Sequence, residues 1–574
     1  MKNQEVANIF REISKILKLK GDNPFRIRAY ERAAQNIESL GQDLTIALEE
    51  DNLTNIPGIG TDLASKIKEI IATGNLDYYE KLKKELPQGL LRMMEIPGLG
   101  PKTVKKIYEK FKIDNIEELE EAAREKKLEK LEGIREKTEE NILRGIGLLK
   151  KGGERTPLHY AAALAESFVK ELKKMEEIAK IEVAGSLRRY KETIKDIDIL
   201  IVSQKPAAVM DRFVQLPQVK EVLAHGETKS SVISNKNNMQ VDVRVVREKS
   251  FGSALMYFTG SKDFNIKLRQ LAIKNNYKIN EYGIFSASSL KKEKWLAGKT
   301  EEDIFSLLKM AYIAPELRED KGEIEAALEN ALPKLVQFKD IKGDLHVHSK
   351  YSDGVSSLPE LARKAQVLGY DYVGICDHSQ SLKVANGLSE AEVFKKLKEI
   401  RKINKKAKAK LLCGTEVDIS SDGSLDYPDS LLREFDLVIA AIHRGFKQSK
   451  SELTKRIISA CKNKYVNVIA HPTGRLWGAR DAYEIDLDEI LKVCRNQQVA
   501  LEINCYPQRL DLNDVSALKA KKMNVKLCLG TDSHKTEQLT AMELGISVAR
   551  RGWLEKKDVI NCMPIDKLLK WLRK

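Results

Sequence analysis

The chain has 574 residues, enough for several separately packed domains, and its 42% hydrophobic and 32% charged residues are those of a globular protein. A net charge of +15, spread as 40 Lys/Arg against 30 Asp/Glu over residues 341–574 and 59 against 54 before them, favours a polyanionic partner. No apolar run reaches membrane-spanning length, the start MKNQEVANIFREISK is charged rather than signal-like, and the seven cysteines all lie beyond residue 375 without a C-x-x-C pair; this argues against a membrane protein, a disulfide scaffold or a zinc ribbon, and a cytoplasmic protein with buried reduced thiols is expected.

In the front of the chain, NIPGIGTDLASKIKEII (55–71) and EIPGLGPKTVKKIYEKF (95–111) repeat one pattern at an offset of 40 residues. An apolar residue, Pro-Gly-x-Gly and an amphipathic helix form the helix-hairpin-helix signature. Gly58, Gly60, Gly98 and Gly100 would allow the tight turn, and the helix N-terminus after each would offer amide donors to a DNA phosphate. Such contacts grip the backbone without reading sequence. A third copy, KLEGIREKTEENILRGI, lacks the second glycine and reads as structural.

Next comes AGSLRRYKETIKDIDILIV (184–202). Asp196 and Asp198 alternate with Ile197 and Ile199, so the two carboxylates share a strand face, ~7 Å apart along the backbone. A second strand, MQVDVRVV, presents Asp242 opposite Val241 and Val243. Acidic residues within apolar strands are costly unless paired or metal-bound. Three on adjacent strands can hold two Mg²⁺ ions ~4 Å apart, which suits nucleotidyl transfer from a triphosphate to a 3′-hydroxyl.

The G-S-x-R-R…D-x-D spacing, with YFTGSKDFNIKLR (257–269) after it, resembles family X DNA polymerases. The resemblance implies a nucleotidyltransferase palm and a thumb. By it, Arg155, Ser186 and Arg189 bind the incoming triphosphate and Gly185 lets the backbone approach it. Tyr257, Phe258 and Gly260 line the sugar, Asn265 reaches the base and Arg269 the template. One departure is Gln240, where members of the polymerase beta kind carry an arginine near the primer end. Lys66 falls where members with deoxyribose-phosphate lyase activity carry a Schiff-base lysine, and Tyr30 matches that pocket, but Arg26 replaces a lysine there. Plain phosphate contact is the competing role for Lys66.

From residue 341, short β-rich runs end in polar residues and are followed by helical stretches: DLHVH, YVGICDH, KLLCGTE, LVIAAIH, VNVIAH, ALEIN and VKLCLGTDSH. Seven β/α repeats predict a barrel of the TIM kind with one unit fewer, whose strand C-terminal ends share one face. All six histidines after residue 340 fall at or just after the end of a run. Imidazoles mixed with carboxylates suit Zn, Mn or Fe. The motifs resemble the polymerase and histidinol phosphatase (PHP) domain family. That resemblance implies a site for up to three metal ions held by His346, His348, Asp353, His378, Glu416, His443, His471, Asp532 and His534. Arg444 and Arg475, just past two ligands, are candidates for phosphate oxygens and equally for plain surface residues.

The expected fold is multidomain α and α/β. A helical DNA-end-binding domain (1–82), a fingers-type domain (83–150), a palm (151–246), a thumb-type domain (247–315), a helical linker (316–340) and a C-terminal (β/α)7 PHP barrel (341–574) follow one another. The expected function is a DNA polymerase that fills short gaps in base excision repair, with Mg²⁺ at the polymerase site. A 3′-5′ exonuclease using Mn²⁺ or Zn²⁺ in the barrel is joined to it, and the resemblance extends to abasic-site cleavage. The expected partners of this monomer are gapped or nicked DNA and dNTPs. The alternatives are a small-molecule phosphoesterase tethered to a DNA-binding module, and a non-catalytic DNA-end scaffold.

Overall fold

A computed structural model describes the chain except residues 1, 40–43, 45–47, 49–51, 57, 95, 97–98, 129–130, 132–138, 140–141, 144–145, 147–154, 287–293, 478–479 and 574. Two compact units emerge: Met1–Thr156, Leu164–Gly185 and Lys195–Tyr312 form the first, and Pro157–Ala163, Ser186–Ile194 and Ile313–Lys574 the second.

In the first unit, helices α1 (Lys2–Lys20), α2 (Pro24–Ser39) and α3 (Thr61–Thr73) share a core of Phe10, Ile13, Tyr30, Ile37, Ile67 and Ile70. A second apolar cluster gathers Leu90, Val104, Ile107 and Leu119 around α4 (Pro101–Phe111). The two Gly-rich repeats open α3 and α4: Gly60 and Gly100 are the extended residues before each helix, and Gly58 sits at φ +79°, which favours glycine. Gly98 and most of the third copy lie outside the described residues.

The rest of the first unit is built on a five-stranded sheet of β1 (Ile178–Val183), β2 (Asp196–Ser203), β3 (Val219–His225), β4 (Lys229–Ser234) and β5 (Gln240–Val246), in the order β1-β2-β5-β4-β3. β2 and β5 pair in parallel, with Asp196 opposite Gln240 and Asp198 opposite Asp242. Alternation buries Ile197, Ile199, Val241 and Val243 on the other face. Helices α5 (Phe251–Thr259) and α6 (Lys262–Lys274) follow, then a small antiparallel sheet of Tyr277–Asn280, Gly283–Ser286 and Trp295–Ala297.

The second unit is the expected barrel. Seven parallel strands pair in chain order: β6 (Gly343–Val347), β7 (Tyr372–His378), β8 (Lys410–Asp418), β9 (Leu437–Ala441), β10 (Val468–Ile469), β11 (Ala500–Asn504) and β12 (Leu527–Gly530). The ring closes where the Asp532 amide donates to the His346 carbonyl and the His348 amide to Ser533, both at 2.8 Å. An outer core packs strands against helices, including α7 (Leu358–Val367) and α8 (Glu390–Asn404). An inner core of Leu345, Tyr372, Cys376, Leu412, Ile439, Ala500 and Cys528 fills the barrel, with Leu568 and Leu572 of the last helix packed into it. All seven cysteines are buried and free.

The stretch expected as a helical linker folds with this unit. It holds a single six-residue helix, Glu323–Leu328, with Ile324 and Ala327 buried. Ion pairs absorb the charges that made it look like a spacer: Glu316 takes Arg550 at 2.6 Å and Lys321 reaches Asp514 at 3.1 Å.

Candidate metal centres

Strand alternation builds the barrel site. In β7, Tyr372 and Cys376 face the inner core, so His378 does too. By the same parity Glu416 and Asp418 follow Leu412, Glu502 and Asn504 follow Ala500, and Asp532 follows Cys528. These four strands thus add polar side chains to one mouth above an apolar plug, whereas β6 brings His346 and His348 there across a register shift between Asp344 and Val347.

Glu416 is the hub. Its oxygens lie 2.8 Å from His471 Nε2, 3.1 Å from His378 Nδ1, 3.2 Å from His443 Nε2, 3.4 Å from His346 Nε2 and 3.6 Å from His348 Nε2. Asp532 Oδ1 stands 3.2 Å from His348 Nε2, and Asp353 Oδ2 lies 3.3 Å from His534 Nε2 and 3.7 Å from His378 Nε2. All nine expected residues converge. Three subsets, His348/Asp353/His378/His534, His346/His348/Glu416 and His378/Glu416/His443, bring ligand atoms within 4.8 Å of one another.

This donor set fits divalent cations. His348 Nδ1 and His471 Nδ1 are buried without a hydrogen-bond partner among the described residues. Burial resists charge here, yet the surroundings override it. Glu416 is held well below the usual carboxylate range by His443, His346 and His378. His443 is held up at about 9 by Glu416 and Asp418, and His534 at about 9 by Asp353 and Asp532. His378 is pushed down to about 4 by burial, with His348 and His443 adding to it against the pull of Glu416.

Several contributors lie outside the expected nine. Glu502, buried, accepts from His346 Nδ1 at 2.7 Å and from the His471 amide at 2.7 Å. Asp418 hydrogen-bonds His443 Nδ1. These acceptors fix each ring and leave its other nitrogen aimed at the cluster. Asn504 donates to Asp532 Oδ2 at 3.2 Å. Arg509 Nε stands 3.4 Å from Asp532 Oδ2, and its buried Nη1 has no hydrogen-bond partner among the described residues, which makes it the guanidinium best placed for a phosphate oxygen. Glu502 and Asn504 carried the strand-end signal; Arg509, in a loop, carried none.

Of the two arginines weighed for phosphate, Arg475 is taken up elsewhere. Its Nη1 and Nη2 grip Glu192 at 2.9 and 2.8 Å, and its Nε donates to the Arg509 carbonyl. Arg444 is exposed and donates to the Ser381 carbonyl. Deeper still, Lys396 pairs with Asp377 at 2.8 Å, both fully enclosed, and Asp377, held down to about 2 by Lys396 against burial, accepts from Ser349 and Ser352 in the turn that carries Asp353.

The sheet site in the first unit is of another kind. Asp196, Asp198 and Asp242 share one face of β2 and β5, and burial, Asp196 and Asp242 push Asp198 up to about 7. Gln240 donates to Asp242 Oδ1 at 2.9 Å, so the residue in the departing position orients the third carboxylate. Lys229 Nζ stands 3.9 Å from Asp242. Gly185, at φ +66°, lies against Asp198, and a Cβ there would collide with Asp198 Oδ2. Carboxylates that repel one another on a single face fit hard divalent cations with oxygen ligands.

The other expected residues are less gathered. Asn265 Nδ2 donates to the Tyr257 carbonyl at 2.6 Å, closing the turn around Gly260, while Arg269 Nε donates to Asn265 at 3.3 Å. Phe258 carries Arg244 over its ring at 4.7 Å. Arg155 is exposed. Ser186 and Arg189 belong to the second unit, where Arg189 is buried and its Nε meets Glu319 at 3.0 Å. Lys66 is salt-bridged to Asp62, with its ammonium 5.4 Å from the Tyr78 ring, which stacks on Tyr30 and also carries Arg26 at 5.3 Å. A carboxylate beside Lys66 is the opposite of the cationic or apolar setting that frees an amine nucleophile.

Comparison with known proteins matches family models along the chain: a helix-hairpin-helix domain over residues 1–76, a SAM-like helix-hairpin-helix tandem over 90–147, the DNA polymerase beta thumb over 254–319 and the PHP domain over 344–505. The chain is 39% identical over 576 residues, covering all of both proteins, to the Bacillus subtilis (strain 168) protein named "DNA polymerase/3'-5' exonuclease PolX". Over 241 residues, 40% of this chain and 94% of the relative, it is 28% identical to a "Probable phosphatase" of Thermoanaerobacter sp. (strain X514). A "Probable phosphatase" of Acetivibrio thermocellus is 28% identical over 200 residues, 33% of this chain and 78% of that protein. Among the described residues no helix is long and apolar enough to cross a membrane.

Proposed function

Because the chain belongs to the PolX family of DNA polymerase/3′-5′ exonucleases, we propose that its two metal centres divide that work: Asp196, Asp198 and Asp242 carry nucleotide addition, and the nine barrel ligands carry exonucleolytic cleavage. The chain acts on DNA and uses divalent metal ions. The observation that carries the division is the contrast in donors. One site offers three carboxylates on a sheet face, the other a mixture of six imidazoles with Glu416, Asp353 and Asp532 at the barrel mouth. The reading of a phosphoesterase tethered to a DNA-binding module accounts for the barrel's phosphatase relatives but leaves the full-length match unexplained.

Asp196, Asp198 and Asp242 would hold Mg²⁺, and the barrel ligands Mn²⁺ or Zn²⁺ in up to three positions. Such ions, when bound, activate an oxygen nucleophile and neutralise charge growing on phosphorus. The chain's own residues do the rest. Gln240 holds the Asp242 carboxylate in place by donating to its Oδ1. Glu502 and Asp418 keep the ring protons of His346 and His443 on Nδ1, away from the mouth. Arg509 would take a phosphate oxygen beside Asp532.

Arg155, Ser186 and Arg189 would bind the dNTP triphosphate, and Gly185 would admit its close approach. Tyr257, Phe258 and Gly260 would line the sugar, with Asn265 on the base and Arg269 on the template. Gly58, Gly60, Gly98 and Gly100 would grip phosphates of gapped or nicked DNA. We place the protein, as a cytoplasmic monomer, in short-gap filling during base excision repair, with abasic-site cleavage in the barrel. Lys66 contacts phosphate in this reading; its lyase role is the narrower alternative.

Gapped DNA with a labelled primer, dNTPs and Mg²⁺ tests the division. Asp242→Ala should lose extension and keep degradation, and His346→Ala the reverse. Degradation that persists in His346→Ala would overturn the barrel assignment. Borohydride trapping on abasic DNA, with wild type against Lys66→Ala, decides the lyase role.

A further inference from the structure

Away from the mouth, the barrel flank carries a groove of about 1220 Å³ between α7 and α8 and the turn that follows. Eight of its lining side chains are cationic and one, Glu399, is acidic. Glu399 is occupied by the Tyr351 hydroxyl at 2.7 Å. The floor is apolar, from Pro359, Ala362, Ile403 and Ala407.

The cations are arranged, not scattered. Lys395, Lys398 and Lys402 on α8 and Lys405, which caps it, follow one another at helical spacings of three and four, all exposed, with Arg363 on α7 also lining the groove. Ten residues of helix carry this stripe over ~15 Å, which equals four to five steps of one strand of a duplex at ~3.4 Å each. Among the described residues none of these five forms an ion pair, so their charge is available to a ligand. Elsewhere on the same unit exposed lysines do find partners, such as Lys519 with Asp488 at 2.6 Å and Lys557 with Glu555 at 2.9 Å.

The groove is separate from the metal site. α8 starts beside the mouth, where the Leu388 amide donates to the His378 carbonyl, and ends at the far side, where Asn404 Nδ2 donates to Leu411 at the start of β8. The groove's richest end, Lys402 to Lys408 at the end of α8 and in the turn after it, therefore lies at the strand N-terminal face, opposite the ligand cluster. A strand being trimmed at the mouth does not account for cations there.

The geometry points to a binding site for the sugar-phosphate backbone of duplex DNA on the α7/α8 flank, independent of sequence and of the strand being cut. The lining contains no aromatic ring on which an unpaired base would stack, so a duplex backbone fits better than a single strand. Lysine stems lying on an apolar floor with ammonium groups raised suit a phosphate row. The site would hold flanking duplex while the metal centres act, adding residence time without adding specificity.

The test uses the full chain carrying Lys395→Gln, Lys398→Gln, Lys402→Gln and Lys405→Gln, and measures affinity for a blunt fluorescent duplex over a range of salt concentrations in EDTA. Each lost phosphate contact removes ~0.9 from the slope of log K against log salt, so losing four should lower it by about 3.6. Hydrolysis of the p-nitrophenyl ester of thymidine 5′-monophosphate should stay at the wild-type rate, which also shows that the barrel is folded. A control with the same charge change, Lys455→Gln, Lys492→Gln, Lys567→Gln and Lys570→Gln on exposed positions elsewhere, should leave the slope near wild type. A slope unchanged in the first variant, or equally reduced in the control, overturns the site. So does loss of binding to vesicles of anionic lipid with duplex binding intact.

Discussion

On the sheet, Asp196, Asp198 and Asp242 meet as like charges, and burial together with Asp196 and Asp242 pushes Asp198 up to about 7. In the barrel, Glu416 is ringed by imidazoles and held well below the ordinary range, although it is the more deeply enclosed. Both arrangements collect negative oxygen on one face, but the first leaves charge for an arriving cation to cancel and the second already balances it with groups that can also bind metal. An all-carboxylate face suits hard ions with oxygen ligands, whereas a mixed imidazole and carboxylate cage suits transition ions such as Mn²⁺ or Zn²⁺.

The sharpest way to break this contrast is reciprocal substitution. Asp198→Asn should reduce primer extension by on the order of 10³-fold, several kcal/mol of lost charge stabilisation, and leave exonuclease unchanged. Glu416→Gln should do the converse and lower the metal content of purified protein measured by plasma mass spectrometry. If either variant impaired both reactions alike, the sites would not be independent. Next in size, Lys396→Met strips the partner from a buried Asp377 and should cost the barrel about 3–5 kcal/mol, seen as a lower calorimetric transition, whereas a truly exposed lysine would cost little.

Smaller is Gly185→Ala. A left-handed residue with a Cβ costs ~1–2 kcal/mol and here also displaces Asp198, so extension kcat/KM should fall about tenfold or more with exonuclease untouched. Smallest is a proton effect in the scaffold of the second unit. Arg551 and Lys321 hold Asp514 below its ordinary value against burial. A depressed carboxylate stabilises above its unfolded pKa of ~4 and loses that contribution as pH falls through the folded value. Thermal melting of wild type should therefore drop more steeply than that of Asp514→Asn below about pH 4.

Much of both centres was legible because their signals are local. Alternation within DIDILIV sets Asp196 and Asp198 on one face whatever surrounds the strand, and in β7 it carries the parity of Tyr372 and Cys376 on to His378; that Asp242 joins the first two took the parallel register of β2 with β5. The unread parts depend on distant pairing. Residues 316–340 looked like a charged spacer because the partners of Glu316 and Lys321, Arg550 and Asp514, come some two hundred residues later. Glu502 was visible as a strand-end acid, but whether it would bind metal or orient His346, 156 positions earlier, depended on ring geometry.

By itself the sequence determined which side chains could hold metal and which repeats would grip DNA, since strand parity and glycine turns are decided within a few residues. Tertiary structure alone decided the fate of the cations: Arg475 is neutralised by Glu192, 283 positions away, Arg189 by Glu319, Arg509 is left facing Asp532, and within α8 Lys396 is buried on Asp377 while Lys395, Lys398 and Lys402 face solvent. Long flexible side chains reach whatever the fold brings near, and their charge belongs to a site only when no carboxylate stands closer.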